Sequence, residues 1–195
     1  MTADIRPIKG LAEAESAARG RGPAPVHLWN PPFCGDMDLR IAGDGAWYYL
    51  GTPIARERLV RLFASVLRHD EDGKYYLVTP IEKIGITVDD APFLAVTLSV
   101  EGAGPNQTIT FHTNVGDDVI AGPDHPMRFV REPENDGFKT YIHVRGRLEA
   151  LVSRALTYDL VEHGAQHMDD GASRFGIWSG GRFFAMALAS EVAVP

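Results

Sequence analysis

The sequence predicts an α+β fold made of two duplicated ββαββ-type units with antiparallel sheets, and three observations lead to this prediction. The stretch 38–88 contains strand patterns on either side of one amphipathic helix pattern. A fainter copy of that stretch occurs later in the chain, where Asp136-Gly137 matches Asp44-Gly45. Between the two copies, the short polar stretch Asp89-Asp90-Ala91-Pro92 is typical of a domain boundary. The predicted organisation is therefore a mobile N-terminal arm over 1–24, a first unit over 25–92 and a second, larger unit over 93–195.

The first unit is predicted from its turns and one apolar stripe. The Gly43-Asp44-Gly45 turn joins strands over 38–41 and 46–50. A helix over 54–67 follows, with Thr52 as its N-cap and Pro53 in its first turn, because a proline at that place needs no N–H partner. Its apolar residues recur at helical spacing, and strands over 74–78 and 84–88 complete the unit.

The second unit is predicted to add strands before a similar core. Strands are expected over 93–100, 107–113, 115–120, 127–131 and 138–144, followed by a helix over 148–162. The matching pairs Leu59-Val60 and Leu151-Val152 would lie on the two helices. A polar loop over 167–173 and a last hairpin around Ser179-Gly180-Gly181 end the chain. The antiparallel sheet with a helix near its end gives this unit a pleckstrin-homology-like pattern.

The composition and net charge of the chain argue against some classes of function. The chain has 195 residues, of which 45% are hydrophobic and 23% charged, and its net charge is −7. An acidic chain is a poor general binder of nucleic acid, whose affinity depends on Lys and Arg contacts to phosphate. Cys34 is the only cysteine, no signal peptide pattern is present, and no apolar run is long enough to span a membrane. We therefore expect a cytoplasmic protein without a membrane span or a nucleic-acid partner.

Short catalytic motifs are absent from the sequence. It contains no GxxxxGK[ST], no GxGxxG after a strand, no GxSxG and no HExxH. Cys34 with Asp36 and Asp38 resembles a thiol or cation site, but acidic neighbours disfavour a reactive thiolate, which predicts a small buried cysteine. His163 and His167 have metal spacing, but Gly164 interrupts the helix that would carry them. We expect no catalytic residue, no metal site and no cofactor.

Arginines and junction residues suggest an anion site instead. Arg56, Arg58, Arg61 and Arg68 are predicted on the non-core side of the first helix, and arginine suits bidentate contact with phosphate or carboxylate. A solvated helix face and inter-domain salt bridges are the simpler alternatives. If the segments at the junction meet, a ligand would lie in an inter-domain cleft. The predicted ligand-binding residues are Arg40 and Arg56 for the anion, Trp47 for stacking, and Glu82, Lys83 and Asp90 for polar orientation.

Three longer motifs carry a family resemblance. They are W-N-P-P-x-C-G-x-M-D-L-R-I-A-x-D-G-x-W-Y-Y-x-G-x-P-I-x-R over 29–56, T-P-I-E-K over 79–83 and V-D-D-A-P-F over 88–93. With them the chain resembles the proteobacterial domain-of-unknown-function family 1285 (DUF1285) over nearly all residues after the arm. The resemblance implies a duplicated domain whose second half is superficially pleckstrin-homology-like. It also implies an unestablished biochemical function, with a nucleotide-like ligand in the cleft and a role in signalling or stress response as suggestions.

Three functions remain open from the sequence. The favoured hypothesis is a non-enzymatic ligand-sensing or signalling adaptor that binds a small anionic or nucleotide-like ligand. The second is an enzyme with an unrecognised site near Cys34 and Asp38. The third is a protein-interaction module that uses exposed strand edges or a homodimer face.

Overall fold

A computed structural model describes residues 5–18, 23–132 and 137–191, so the matched residue Asp136 lies outside the described part. Backbone contacts divide the chain into two units. The first comprises Met1–Pro92 with the turn Gly146–Leu148, and the second comprises Phe93–Arg145 and Glu149–Pro195. Among the described residues, three α-helices accompany two six-stranded sheets and one three-stranded sheet. The fold is thus α+β with a large excess of strand.

The first unit consists of one six-stranded sheet and two helices. Its elements are α1 (Leu11–Ala18), β1 (Phe33–Ile41), β2 (Trp47–Tyr49), β3 (Thr52–Pro53), α2 (Glu57–Ser65), β4 (Leu67–His69), β5 (Tyr75–Val78) and β6 (Lys83–Val88). The sheet order is β3-β2-β1-β6-β5-β4. β1 and β6 are parallel, so the predicted purely antiparallel sheet is wrong. The chain between β1 and β6 is long and includes α2, and a connection of this length allows the two strands to pair in parallel.

The helix of the first unit is shorter than its sequence pattern predicts. Thr52 and Pro53 form β3 instead of the helix start, and Arg56 is the N-cap residue of α2. The reason is a tight hairpin, in which Leu50 and Gly51 both have positive φ and Tyr49 pairs with Thr52. Leucine rarely adopts positive φ, so the sequence does not signal this turn.

The core of the first unit lies between α2 and one face of the sheet. Met37, Leu39 and Ile41 on β1 are buried while Asp38 and Arg40 between them are exposed, as expected for a strand with one covered face. Phe63 from α2 is 1% exposed, and its ring centroid lies 6.2 Å from that of Trp47 on β2. These aromatic contacts hold the helix on the sheet.

In its described residues, the second unit contains the other nine strands and α3 (Arg154–Glu162). The strands are β7 (Phe93–Glu101), β8 (Thr108–Thr113), β9 (Asp118–Ile120), β10 (Met127–Arg131), β11 (Phe138–Arg145), β12 (Leu148–Val152), β13 (Ala165–Asp169), β14 (Ala172–Ser179) and β15 (Arg182–Leu188). One sheet has the order β10-β11-β12-β7-β8-β9 and the other β13-β14-β15. β12 runs parallel to β7, so this sheet is also mixed rather than antiparallel.

Two element predictions in the second unit are wrong. Residues 148–152 form β12 rather than the first turns of a helix. Leu148, Ala150 and Val152 alternate with less buried residues, and residues 150–152 pair with β7. Ser153 then caps α3 by accepting a hydrogen bond from the Leu156 N–H at 3.4 Å. The predicted polar loop over 167–173 instead contains the end of β13, the turn Asp170-Gly171 with positive φ at both residues, and the start of β14.

The two units share an order of elements that is compatible with duplication. Each has a three-stranded meander, a helix and a second three-stranded meander. β1 pairs with β6 in the first unit, and β10 lies beside β15 in the second. The residue match proposed from the sequence fails, however, since Leu59-Val60 lie on α2 and Leu151-Val152 lie on β12.

No helix in the described part of the chain combines the length and apolar character that crossing a membrane requires.

Candidate ligand pocket

An open pocket of about 480 Å³ lies in the first unit, at the end of the sheet where β4 turns into β5. Its lining combines histidines with charges of both signs. The lining residues are His27, Arg68, His69, Asp70, Glu71, Asp72 and Arg147. His27 comes from the short 3₁₀ helix Val26–Leu28, and Arg147 comes from the turn that belongs with this unit.

Asp70 is the centre of the charged network on the pocket wall. Its carboxylate accepts hydrogen bonds from Arg68 Nη2 and Lys83 Nζ, each at 3.1 Å, and a further one from Arg68 Nε. The three side chains are each about four-fifths buried. Burial by itself raises the pKa of Asp70, but the hydrogen bonds from Arg68 and Lys83 outweigh it, so the pKa lies below the ordinary 3.8. Asp70 is therefore ionised at neutral pH and its charge is already neutralised by protein cations.

Arg68 also fixes the segment that carries His27. Its Nη1 donates to the backbone oxygens of Val26 at 2.9 Å and Trp29 at 2.7 Å. Val26 is the first residue of the 3₁₀ helix and Trp29 directly follows its last residue. Because one planar guanidinium binds both Asp70 and this segment, Arg68 positions His27 at the pocket.

The carboxylate of Asp72 is also hydrogen-bonded, but its donors are neutral groups. It accepts a hydrogen bond from the Tyr76 hydroxyl at 2.6 Å and one from the Lys74 N–H at 3.0 Å. The bond from Tyr76 is the main reason why the pKa of Asp72 is below its ordinary value. The same bond, with burial and the charge of Asp72, raises the pKa of Tyr76 to about 12. The Lys83 ammonium lies 4.2 Å from the centre of the Tyr76 ring, which ties the two acidic groups into one network.

We expect the substitution Asp72→Asn to lower the pKa of Tyr76 toward its ordinary value of 10.0, because the charged acceptor of its hydroxyl proton is removed. A raised folded-state pKa stabilises the fold fully below pH 10, and that contribution is lost as the pH rises through about 12. NMR titration of the Tyr76 Cζ signal measures the pKa directly, with Tyr76→Phe used to assign the signal. An unchanged midpoint in Asp72→Asn would show that the hydrogen bond does not control the ionisation of Tyr76.

His69 and Arg147 form the more accessible side of the pocket. The His69 Nδ1 lies 3.2 Å from the Arg147 carbonyl oxygen, which can only accept, so Nδ1 carries the proton and donates. The His69 ring stacks on Tyr75 with centroids 4.3 Å apart and planes 9° apart. Arg147 Nη2 lies 2.7 Å from Glu71 Oε1, but the side chain of Arg147 is 50% exposed and that of Glu71 is 89% exposed. This ion pair is thus solvated, in contrast to the buried pairs of Asp70.

Three residues predicted to bind the ligand have protein partners or are buried. Arg40 makes a bidentate ion pair with Asp89, with N–O distances of 2.6 to 3.0 Å. That pairing, with hydrogen bonding as the larger cause, raises the pKa of Arg40 and lowers that of Asp89. Trp47 is 2% exposed in the core, where its Nε1 has no hydrogen-bond partner among the described residues. Glu82 is buried and accepts a hydrogen bond from the Lys9 N–H at 2.6 Å.

The other three predicted residues have different surroundings. Arg56 is exposed at the start of α2. Lys83 lies behind the pocket wall through its bond to Asp70, and Asp90 is half-buried in the turn after β6. Of the six predicted residues, Lys83 therefore belongs to the hydrogen-bond network around Asp70 at the pocket. The binding roles of all six, and the inter-domain cleft, stay predictions.

The alternative sites considered from the sequence also look different in the structure. Cys34 is exposed and its thiol donates to the Pro32 carbonyl oxygen at 3.4 Å, so the predicted buried cysteine is wrong. The first two residues of β1, Phe33 and Cys34, are exposed. His163 ends α3, and His167 lies on β13 against Trp178 at 4.9 Å, so helical metal spacing is absent. No cluster of three or more His, Cys, Asp and Glu side chains in the described ranges is arranged for a metal ion.

Sequence reasoning missed most of the pocket. Residues 70–73 form a polar turn between β4 and β5, and a polar turn pattern by itself does not show that its side chains share a pocket. Arg68 was assigned to the first helix, whereas it lies on β4. A run of four charged or titratable residues at 69–72 in one turn was the available signal.

Two family descriptions match adjacent parts of the chain. Residues 24–91 match "Domain of unknown function (DUF1285), N-terminal domain", and residues 92–186 match "Protein of unknown function (DUF1285), C-terminal domain". The chain belongs to the DUF1285 family. The resemblance inferred from the motifs is thereby confirmed.

Solved structures of two DUF1285 family proteins are similar to this chain. A DUF1285 family protein from Silicibacter pomeroyi DSS-3 is 49% identical, with a TM-score of 0.82, and the match covers 95% of this chain and 98% of that one. A DUF1285 family protein from Shewanella baltica OS155 is 28% identical, with a TM-score of 0.50, over 64% of this chain and 91% of that one. No curated protein matches the sequence. DUF1285 membership by itself assigns no reaction or ligand.

Proposed function

We propose that this protein is a non-enzymatic ligand-sensing or signalling adaptor, and that its first unit binds a small anionic ligand in the pocket formed by His27, His69 and Arg147. The observation that carries the proposal is the solvated Arg147–Glu71 ion pair beside Asp70, whose charge is already neutralised by Arg68 and Lys83. A phosphorylated or carboxylated metabolite fits this chemistry, and a nucleotide-like ligand is one member of that class.

The distribution of partners supports an anion rather than a cation as the ligand. Asp70 is bound by Arg68 and Lys83, and Asp72 is bound by Tyr76. A cation would have to compete with Arg68 and Lys83 for the largely buried carboxylate of Asp70. An anion would only have to replace Glu71, whose exposed pairing contributes about 0–1 kcal/mol.

The donors around Arg147 suit a phosphate or carboxylate. A guanidinium can donate two parallel hydrogen bonds to such a group. The Nδ1 proton of His69 is held by the Arg147 carbonyl, so Nε2 is the nitrogen that remains for a ligand. When protonated, Nε2 adds a second charged donor beside the arginine. The lining residues are charged groups and imidazoles without a serine, threonine or cysteine nucleophile, a composition that favours binding over covalent catalysis.

We further propose that the two units arose by duplication, which the shared order of meander, helix and meander supports. The pleckstrin-homology-like character of the second unit stays a prediction within this proposal.

The two partners of the exposed ion pair are expected to affect anion binding in opposite directions. Arg147→Ala should weaken binding about 10- to 100-fold, since a hydrogen bond to a charged group contributes about 1.5–3 kcal/mol. Glu71→Gln should strengthen it up to about fivefold, because the internal competitor loses its charge. Calorimetric titration of inorganic phosphate, nucleotides and dicarboxylates against each variant measures both effects.

A matched control is available elsewhere in the chain. Arg128 is 49% exposed and pairs with Glu149 at 2.6 Å, so Arg128→Ala removes a similar arginine without touching the pocket. Binding should be unchanged in that control. An equal loss in Arg128→Ala and Arg147→Ala, or no saturable binding of any tested anion, contradicts the proposed function.

A further inference from the structure

Residues 5–18, here named the N-terminal segment, are bound to the rest of the first unit mainly through the backbone of Lys9. The Lys9 N–H donates to Glu82 at 2.6 Å, and the Lys9 carbonyl oxygen accepts from the Thr79 hydroxyl at 2.7 Å. Thr79 and Glu82 are 0% and 4% exposed, whereas the Lys9 side chain is exposed. Thr79 and Glu82, here named the clamp, therefore bind the backbone of Lys9 and leave its side chain in solvent.

The residue after Lys9 must be a glycine for this fit. Gly10 has a φ of +75°, which an L-residue with a side chain rarely adopts. A Cβ at this position would lie 3.0 Å from both the Thr79 hydroxyl oxygen and Ile81 Cγ1. The clamp thus selects a residue–glycine pair in one backbone conformation.

Few other contacts hold the segment. Ile8 and Ala14 are its buried apolar residues, and the Arg6 N–H donates to the Tyr49 hydroxyl at 3.3 Å. Glu15 and Arg58 approach only to 3.8 Å, with Arg58 almost fully exposed. Without the segment, the carboxylate of Glu82 would lose the one hydrogen bond found for it among the described residues. The site therefore favours occupation by a peptide backbone. Apart from Lys9, the resident segment is held by two buried apolar side chains, one long hydrogen bond and one exposed ion pair.

We propose that the clamp is a peptide-binding site whose resident, displaceable ligand is the chain's own N-terminal segment, and that the same segment of a second copy occupies it in trans. Attachment in the same chain gives the resident segment an effective concentration on the order of millimolar, so cis occupation dominates in dilute solution. Exchange of a terminal segment between identical copies is a low-cost route to a dimer. This inference concerns a surface separate from the pocket and does not depend on the proposed anion.

The test uses the full chain and a fluorescein-labelled synthetic peptide of residues 5–18. Lys9→Pro removes the N–H that Glu82 accepts, while Lys9→Ala keeps the backbone and removes only the exposed side chain. Fluorescence anisotropy should show saturable binding of the wild-type peptide to the Lys9→Pro protein. Binding to the wild-type and Lys9→Ala proteins should be at least about tenfold weaker, because their sites are filled in cis.

Further variants keep the result interpretable if Lys9→Pro fails to fold. Gly10→Val in the full chain opens the site by a different route, through the missing space for a side chain. Adding Glu82→Ala to either variant should remove peptide binding, because the acceptor of the Lys9 N–H is lost, and a peptide carrying Gly10→Val should not bind. Equal binding to wild-type and cis-weakened proteins, or no binding to a folded cis-weakened protein, overturns the proposal.

Discussion

Replacing Phe63 with Asp is expected to unfold the first unit. Phe63 is 1% exposed and packs against Trp47, so an aspartate would place an unpaired charge between α2 and the sheet. Even Phe→Ala at such a site costs about 3–5 kcal/mol, and an uncompensated buried charge adds several more. This loss is comparable to the usual stability of a small domain, about 5–15 kcal/mol.

The same helix supplies a matched control. Arg61 lies on the exposed side of α2, so Arg61→Asp introduces the same side chain into solvent. Its cost should stay below about 1 kcal/mol, the usual range for surface substitutions. Urea denaturation followed by tryptophan fluorescence and far-UV circular dichroism distinguishes the two variants. Similar midpoints for both would mean that Phe63 does not anchor the helix to the sheet.

Replacing Gly176 with Val is expected to prevent β14 and β15 from pairing. A Cβ at Gly176 would lie 2.3 Å from the Phe184 carbonyl oxygen and 2.9 Å from the Ala185 Cα. Both are backbone atoms of the neighbouring strand, so a side-chain rotation cannot relieve the overlap. Overpacking typically costs about 1–3 kcal/mol and occasionally more, and a clash with backbone belongs at the upper end or beyond.

Hydrogen exchange of the β14 and β15 amides measures this effect locally. Gly122→Ala is the control within the same unit, because its Cβ would meet only the Gly180 Cα at 3.9 Å, an ordinary contact. Protection of the β14 and β15 amides should fall sharply in Gly176→Val and remain in the control. Full protection in Gly176→Val would show that the strands can separate enough to accept a side chain.

The sequence by itself determined the family, the α+β class, the apolar stripe of α2 and most strands. These features follow from local patterns: the longer motifs carry the family resemblance, and Gly-rich turns such as 179–181 occur where strands reverse. Local patterns fail where two structures fit the same spacing. Leu148, Leu151 and Val152 match a helical face, but Leu148, Ala150 and Val152 also match a strand, and pairing with β7 decides between them.

The pocket and the clamp were decided only by tertiary structure. Arg147 is far from His69 in the chain, with 78 residues of separation, and yet its carbonyl oxygen accepts the His69 proton. Lys9 and Glu82 are separated by 73 residues, and the sequence around neither residue indicates that the Lys9 N–H donates to the buried carboxylate of Glu82. Periodicity reports which face of an element is buried, but it carries no information about which distant charge lies opposite. Whether a polar residue is a solvated turn or part of a site depends on those distant partners, and these are fixed only when the strands pair.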